Sequence, residues 1–159
     1  TVHVRRGRPD VQDPAWNSHS KLNCVTACIQ AERLGADEGL MLDPHGFVAT
    51  CNSTHFFIVR GQELWTSTGR YCLRGITRAN VLRLAEADGI TVREKDFSLT
   101  QVYGADEAFV TGTFAGLVHV AEIDGRRFGK GRLGPITERL RSLYEAEISQ
   151  ICSPDNEPT

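Results

Sequence analysis

The sequence predicts an α+β protein in which a largely antiparallel sheet is flanked by helices. Short apolar runs with strand-like alternation recur between residues 39 and 66, and turn residues such as Asp43-Pro44 and Gly61-Gln62 separate them. Strands that follow one another so closely are expected to pair as an antiparallel meander. Longer segments with helical periodicity and suitable end residues occupy 21–34, 79–88 and 135–151.

The chain has 159 residues, a length that fits one domain with a buried core. It is 40% hydrophobic and 24% charged, with a net charge of −2, which is typical of a soluble globular protein. There is no basic excess that would indicate nucleic-acid binding, no apolar run of membrane-spanning length and no signal-peptide pattern. The chain begins at Thr1 rather than Met, so it is expected to be a fragment or a processed product.

The five cysteines are odd in number and form no CxxC motif. This pattern predicts neither a disulfide framework nor a zinc site, and a metal is not expected. A reducing, cytoplasmic location is the expectation.

The first element is a strand over residues 1–6, broken at Gly7. Its arginines Arg5 and Arg6, with Arg8, could bind an anion, but a solvated strand end is the commoner arrangement.

A helix is predicted over 21–34, with Ser18 or Ser20 as its cap and Gly35 closing it. Its apolar residues Leu22, Val25, Cys28 and Ile29 fall on one face. Lys21 stands at the start, where the positive end of the helix dipole disfavours the ammonium form and favours an amine nucleophile. A solvated lysine is the usual case, but the chain contains only three lysines, and Lys21 is better placed for amine chemistry than Lys95 or Lys130.

Between two predicted strands lies the polar run Thr50-Cys-Asn-Ser-Thr-His55. Such a run could line a site, although satisfying the backbone of a connection is the commoner role. His55 by itself is more typical of a structural histidine than of a catalytic one.

The stretch Leu73-Arg-Gly-Ile-Thr-Arg78 leads into the helix that ends at Gly89. Thr77 suits an N-cap or first-turn position, and Gly75 permits close approach of the backbone to a ligand. The free N–H groups of Ile76 and Thr77 could then bind an anion, most readily a phosphate. Taken alone, this stretch is more typical of a capped surface helix.

The rest of the chain continues the α+β pattern. Strands are predicted over 90–94, 107–111 and 117–123, a capping box at Ser98 and Gln101, and a hairpin turn at Asp124-Gly125. The Gly112–Gly116 segment could form a second anion cradle or a simple glycine-rich turn. Pro135 to Ile151 is an amphipathic helix, and 153–159 is expected to be a disordered tail.

Several short motifs occur in a characteristic order: Lys21, Gly35-Ala-Asp-Glu38, Leu42-Asp43, Gly46-Phe-Val48, Phe57, Leu73-Arg-Gly-Ile-Thr-Arg78, Ala105-Asp-Glu107, Phe109, Thr111-Gly-Thr113, Asp124-Gly125 and Gly134-Pro135. The ordered set, over residues 21–145, resembles the class IV aminotransferases, which are the fold-type-IV pyridoxal phosphate enzymes. The resemblance implies a C-terminal, cofactor-binding domain over 1–152 with a largely antiparallel, β-barrel-like core flanked by helices.

The resemblance also implies roles for individual residues. Lys21 is the Schiff-base lysine and the acid/base that moves the proton between substrate Cα and cofactor C4′. Leu73 packs on the pyridine ring, and Phe114 and Ala115 receive the substrate carboxylate on their N–H groups. The phosphate is held by Gly75, Ile76, Thr77 and Thr113. A homodimer is implied, as is an N-terminal domain, absent from this chain, with a phosphate-binding arginine.

Three residues depart from the family pattern. The family places a glutamate against the pyridine nitrogen in a Glu-x-x-x-x-Asn-x-Phe run, where this chain has Thr50 and, for the asparagine, His55. A hydroxyl keeps that nitrogen protonated less well than a carboxylate does, so the ring is a weaker electron sink. Cys24 stands where branched-chain members have tyrosine.

The predicted function is a pyridoxal phosphate aminotransferase acting on an amino acid and a 2-oxo acid. A lyase of the aminodeoxychorismate lyase type is the first alternative, because elimination tolerates the weaker sink that Thr50 implies. A non-catalytic relic of the fold is the second.

Overall fold

A computed structural model describes residues 1–152, except for the side chain of Lys130. The predicted tail, 153–159, lies outside the described residues. The helices are α1 (Leu22–Arg33), α2 (Ile76–Ala87), α3 (Leu99–Tyr103) and α4 (Pro135–Ile151). The strands are β1 (Leu40–Leu42), β2 (Val48–Cys51), β3 (His55–Arg60), β4 (Glu63–Thr66), β5 (Thr91–Glu94), β6 (Glu107–Gly112), β7 (Gly116–His119), β8 (Glu122–Ile123) and β9 (Arg126–Arg127).

Within residues 1–152, the strands form a central sheet in the order β5-β4-β3-β6-β7 and two hairpins, β1-β2 and β8-β9. The α+β class and the largely antiparallel pairing are confirmed. The sheets of this part of the chain are open and do not close into a barrel. One pair, β4 and β5, is parallel, because α2 lies between them as the crossover that parallel strands need.

The central sheet is buried on both faces at β3, which explains the unbroken apolar run of this strand. Phe57 and Val59 of β3 pack with α2 and α4 on one face. Phe56 and Ile58 point to the other face, toward β1, β2 and α3. The Phe57 and Phe109 rings stack with centroids 4.8 Å apart, joining β3 to its neighbour β6.

The amphipathic face predicted for α1 is not the buried one. Ala27 and Ala31 are buried against Val2 and Met41, whereas the apolar residues predicted to share a face are exposed, with Leu22 at 73% and Val25 at 49%. Alanine lets the helix approach the extended chain closely, so small side chains make this contact.

Three local predictions were also wrong. Lys21 itself, not Ser18 or Ser20, is the N-cap of α1, and it makes no side-chain capping bond. Residues 1–6 form no regular strand, but run beside β1 with bonds from Val2 N to Leu40 O (3.1 Å) and from Arg6 N to Leu42 O (2.9 Å). The strand predicted over 117–123 is divided between β7 and β8.

Other predicted elements match the structure. α4 has the predicted bounds with Pro135 in its first turn, Ser98 and Gln101 form the capping box of α3, and Gly35 and Gly89 close α1 and α2 with φ of 70° and 81°. Among residues 1–152, no helix combines the length and the apolar character needed to span a bilayer.

Candidate active site

A cavity of about 720 Å³ lies at one end of the central sheet. Four separate segments line it: the chain before and at the start of α1, the β2–β3 turn, the chain before α2 and the β6–β7 turn. The register explains part of this convergence, because His55 at the start of β3 pairs with Thr111 near the end of β6, which brings the two turns to one edge. The predicted site residues among its lining are Lys21, Thr50, Leu73, Thr113, Phe114 and Ala115.

Gly75, Ile76 and Thr77 are not among the residues that line this cavity. They follow the lining residue Leu73 and form the N-terminus of α2, with Gly75 as its N-cap in an extended conformation. No side chain caps this helix and its first turn carries no acidic residue. The start of α2 therefore keeps the unpaired N–H groups and the positive character that an anion site requires.

Among the lysines whose side chains the structure describes, Lys21 is the one that lines the cavity. Its backbone N–H donates to the His19 carbonyl at 2.9 Å, and its carbonyl accepts from Val25 N at 2.8 Å as the first helical bond. Its side chain is exposed. Lys95 lies elsewhere, with Nζ 4.0 Å from the centroid of the Trp65 ring, and does not line the cavity.

Arg6 also lines the cavity, and the prediction of a solvated strand end was wrong for this arginine. Its side chain is half-buried, with Nε donating to the Tyr71 carbonyl at 2.8 Å and Nη1 to Asn23 Oδ1 at 3.4 Å and to Cys24 Sγ at 2.9 Å. Arg5 and Arg8 are exposed. Arg6 and Lys21 place two cationic side chains in the cavity against the one carboxylate of Asp13, which favours anionic ligands.

Thr50 is buried at 6% exposure and directs its hydroxyl to its own turn. Thr50 Oγ1 donates to the Thr54 carbonyl at 2.8 Å, and Cys51 N donates to the same oxygen at 2.9 Å. The hydroxyl hydrogen is therefore committed, and only oxygen lone pairs remain for a ligand.

The β2–β3 turn that carries Thr50 and His55 is fixed from outside the cavity. The hydroxyls of Ser53 and Thr54 both donate to the Glu38 carboxylate. The Asn52 side-chain oxygen accepts from Gly39 N at 2.6 Å, while Asn52 N donates to the Gly39 carbonyl at 3.1 Å. Glu38, a family motif residue, thus orients the turn.

His55 contacts the segment that leads into α2. Its Nε2 lies 2.8 Å from the Leu73 carbonyl oxygen. Burial lowers the pKa of His55 below its ordinary value of 6.5, and the positive charges of Arg78 and Arg6 lower it further, whereas the bond to Leu73 opposes them. The ring is therefore neutral near pH 7, and since a carbonyl only accepts, Nε2 carries the hydrogen.

The two buried cavity thiols, Cys51 and Cys72, are not nucleophiles of the low-pKa type. Burial raises the pKa of Cys51 and of Cys72, and the Glu38 carboxylate raises that of Cys51 further. All five cysteines are free thiols. Among residues 1–152, no cluster of three or more His, Cys, Asp or Glu could hold a metal ion.

Sequence reasoning undervalued both Arg6 and His55. The arginine-rich segment and the polar run at 50–55 were both visible, but neither pattern shows which side chain turns inward. The cavity offers an amine at Lys21 and a neutral hydroxyl at Thr50, and the uncapped start of α2 follows two residues after the lining residue Leu73. This set suits a phosphorylated carbonyl compound.

Comparison with known proteins shows which family this chain resembles. The model of the amino-transferase class IV family matches residues 1–123. The chain is 43% identical over 130 residues to the branched-chain-amino-acid aminotransferase of Pseudomonas aeruginosa, which covers 82% of this chain and 42% of that relative. It is 37% identical over 145 residues to branched-chain-amino-acid aminotransferase-like protein 2 of Arabidopsis thaliana, covering 91% of this chain and 26% of that relative.

The fold is similar to that of a solved relative. A T.th. branched-chain amino acid aminotransferase, complexed with N-(5'-phosphopyridoxyl)-L-glutamate, superimposes with a TM-score of 0.90 and 34% identity. The match covers 97% of this chain and 52% of that one. The chain thus spans about half of this solved relative, and less than half of the two curated ones.

Proposed function

This chain belongs to the class IV aminotransferases, and on that basis we propose that it forms the cofactor-binding part of a pyridoxal phosphate-dependent transaminase. The substrates are an amino acid and a 2-oxo acid. The observation that carries this proposal is the convergence of Lys21, Thr50, Leu73 and the 113–115 turn on one cavity. Its volume of about 720 Å³ suits a cofactor together with a small substrate.

The residues present fit the cofactor. The uncapped start of α2 offers Ile76 and Thr77 N–H groups to a phosphate, and the Thr113 hydroxyl adds a donor from the opposite turn. Gly75 lies where a Cβ would collide with the His55 ring, so the backbone at this point is closely packed. Leu73 supplies an apolar wall for the ring.

Bound pyridoxal phosphate supplies the carbonyl that exchanges amino groups and a ring that withdraws electrons. Lys21 would be the covalent anchor of the cofactor and the base and acid at the substrate Cα, since among the described lysine side chains it is the one that lines the cavity. The backbone N–H groups of Phe114 and Ala115 bind the substrate carboxylate. Thr50 would offer the pyridine nitrogen a neutral oxygen.

The chain covers about half of the solved relative, and this supports the further proposal that an N-terminal domain completes the site. That domain supplies a second phosphate contact, an arginine, and part of the substrate pocket. A homodimer is proposed on the family resemblance.

The first prediction concerns Lys21. When the full-length gene product is incubated with pyridoxal phosphate, reduced with borohydride and digested, mass mapping should find the pyridoxyl group on Lys21. A Lys21→Arg variant should lose the label, whereas Lys95→Arg, the matched control, should keep it because Lys95 packs on Trp65 outside the cavity. Label at Lys95 or Lys130 alone, or no label at all, would contradict the proposal.

The reaction type is tested on the same protein. A transaminase converts the bound cofactor to its pyridoxamine form when an amino acid is added, with release of the 2-oxo acid. A lyase releases its product without accumulating the pyridoxamine form, and Thr50 is the feature that favours it. A non-catalytic relic would show no amino-acid-dependent change.

A further inference from the structure

His55 and Gly75 are in close contact, although they are twenty residues apart. A Cβ built on Gly75 would lie 2.6 Å from His55 Nδ1, and closer still to Cε1. A side chain at position 75 would therefore have to displace the imidazole. The same ring donates from Nε2 to the Leu73 carbonyl at 2.8 Å. One side chain thus contacts both ends of the segment that leads into α2.

The His55 imidazole belongs to a residue of a rigid element. His55 is the first residue of β3, a central strand, and its backbone pairs with Thr111 of β6. The turn that precedes it is fastened to Glu38 and Gly39 by side-chain hydrogen bonds. Because the ring is held from its own side, its two contacts fix the position of the 73–75 segment relative to the sheet.

Apart from His55, few contacts among the described residues fix the position of the 73–75 segment. Gly75 is the N-cap of α2 without a side-chain capping bond, and Ile76 is 79% exposed. The N–H groups that Ile76 and Thr77 offer to an anion belong to the two residues directly after Gly75. Small movements of Gly75 therefore change where these donors point.

We propose that His55 is a positioning residue for the cofactor phosphate, in that its ring holds Leu73 and Gly75 so that the first N–H groups of α2 converge on the anion. This inference rests on the proposed function. It assigns to His55 a role that the family asparagine at this position cannot fill in the same way. An asparagine side chain ends about where Nδ1 stands, so it does not carry its donor out to the Nε2 position.

The test compares the full-length gene product with His55→Leu and His55→Gln. Leucine removes the donor, whereas glutamine places an N–H at about the reach of Nε2. Dissociation constants are measured for pyridoxal phosphate and for pyridoxal, which lacks the phosphate. We expect His55→Leu to weaken pyridoxal phosphate binding about tenfold with little change for pyridoxal, and His55→Gln to recover most of the loss.

A second pair of variants tests the contact with Gly75. Gly75→Ala should weaken pyridoxal phosphate binding strongly in the native background, and less in a His55→Ala background, where the new methyl group has room. This coupling does not depend on whether His55→Leu folds.

The outcomes separate the two proposals. If the unchanged protein binds neither pyridoxal phosphate nor inorganic phosphate, the proposed function and this inference both fail. If it binds but His55→Leu leaves the ratio of the two dissociation constants unchanged, or weakens both ligands equally, His55 has no positioning role. Equal effects of Gly75→Ala in the two backgrounds would also overturn the inference.

Discussion

At the residue scale, the hydrogen bond that Thr50 makes within its own turn limits what its hydroxyl can offer to a ligand in the cavity. Its hydroxyl hydrogen is committed to the Thr54 carbonyl at 2.8 Å, so toward the cavity it can only accept a hydrogen bond. A neutral acceptor stabilises a protonated pyridine nitrogen less than a carboxylate does, because it carries no charge. In the proposed site, Thr50 therefore limits electron withdrawal by the ring.

A Thr50→Glu variant should accelerate conversion of the bound cofactor to the pyridoxamine form by about tenfold, because a carboxylate there favours the protonated ring. Single-turnover absorbance measurements with an amino acid give the rate. Thr50→Gln is the matched control, since it has the same size without the charge, and it should not reproduce the gain. A rate unchanged or reduced in Thr50→Glu alone would place the pyridine nitrogen away from residue 50.

At the scale of elements, α4 is held by a carboxylate from another element. Glu107 of β6 is 7% exposed and accepts hydrogen bonds from Ile136 N at 3.1 Å, from Thr137 N at 2.8 Å and from the Thr137 hydroxyl at 2.6 Å. Its negative charge meets the positive end of the helix dipole. Gly134 is required beside it, because a Cβ there would overlap the Glu107 side chain.

Glu107→Ala should lower the free energy of unfolding by about 2 kcal/mol, because the first N–H groups of a buried helix start lose their partner. Glu138→Ala removes a carboxylate from the same turn at an exposed position, and should cost no more than about 0.5 kcal/mol. Urea unfolding of the two variants gives both values. Similar costs for the two would show that the dipole alone, rather than the buried hydrogen bonds, holds α4.

At the scale of the whole molecule, the central sheet is the scaffold of the candidate site. The adjacency of β3 and β6 brings the turns at 52–54 and 112–116 to the same edge. The stacked rings of Phe57 and Phe109 join these two strands on the face covered by α2 and α4. The site and the core therefore depend on the same strand pair.

Phe109→Ala should destabilise the protein by about 3 to 5 kcal/mol, because a fully buried ring leaves a cavity between two strands. Phe114→Ala is the control: its side chain is fully exposed in the β6–β7 turn, and its removal should change stability by less than about 0.5 kcal/mol. Thermal unfolding measures both. A small effect of Phe109→Ala would indicate that the core repacks freely around this strand pair.

The sequence by itself determined the local elements. The bounds of α4, the capping box at Ser98 and the closing glycines Gly35 and Gly89 were predictable because their signals lie within about four residues of the feature they specify. The ordered motifs also identified the family, and six of the predicted site residues line one cavity.

Only the tertiary structure decided which side chains face inward and which elements meet. The parallel pairing of β4 with β5, the burial of Ala27 rather than Val25 in α1, and the inward turn of Arg6 each depend on partners far along the chain. So does the contact of His55 with Gly75. The physical reason is that hydrogen-bonding groups and apolar surfaces are paired across the whole fold, whereas periodicity and capping record only what neighbouring residues prefer.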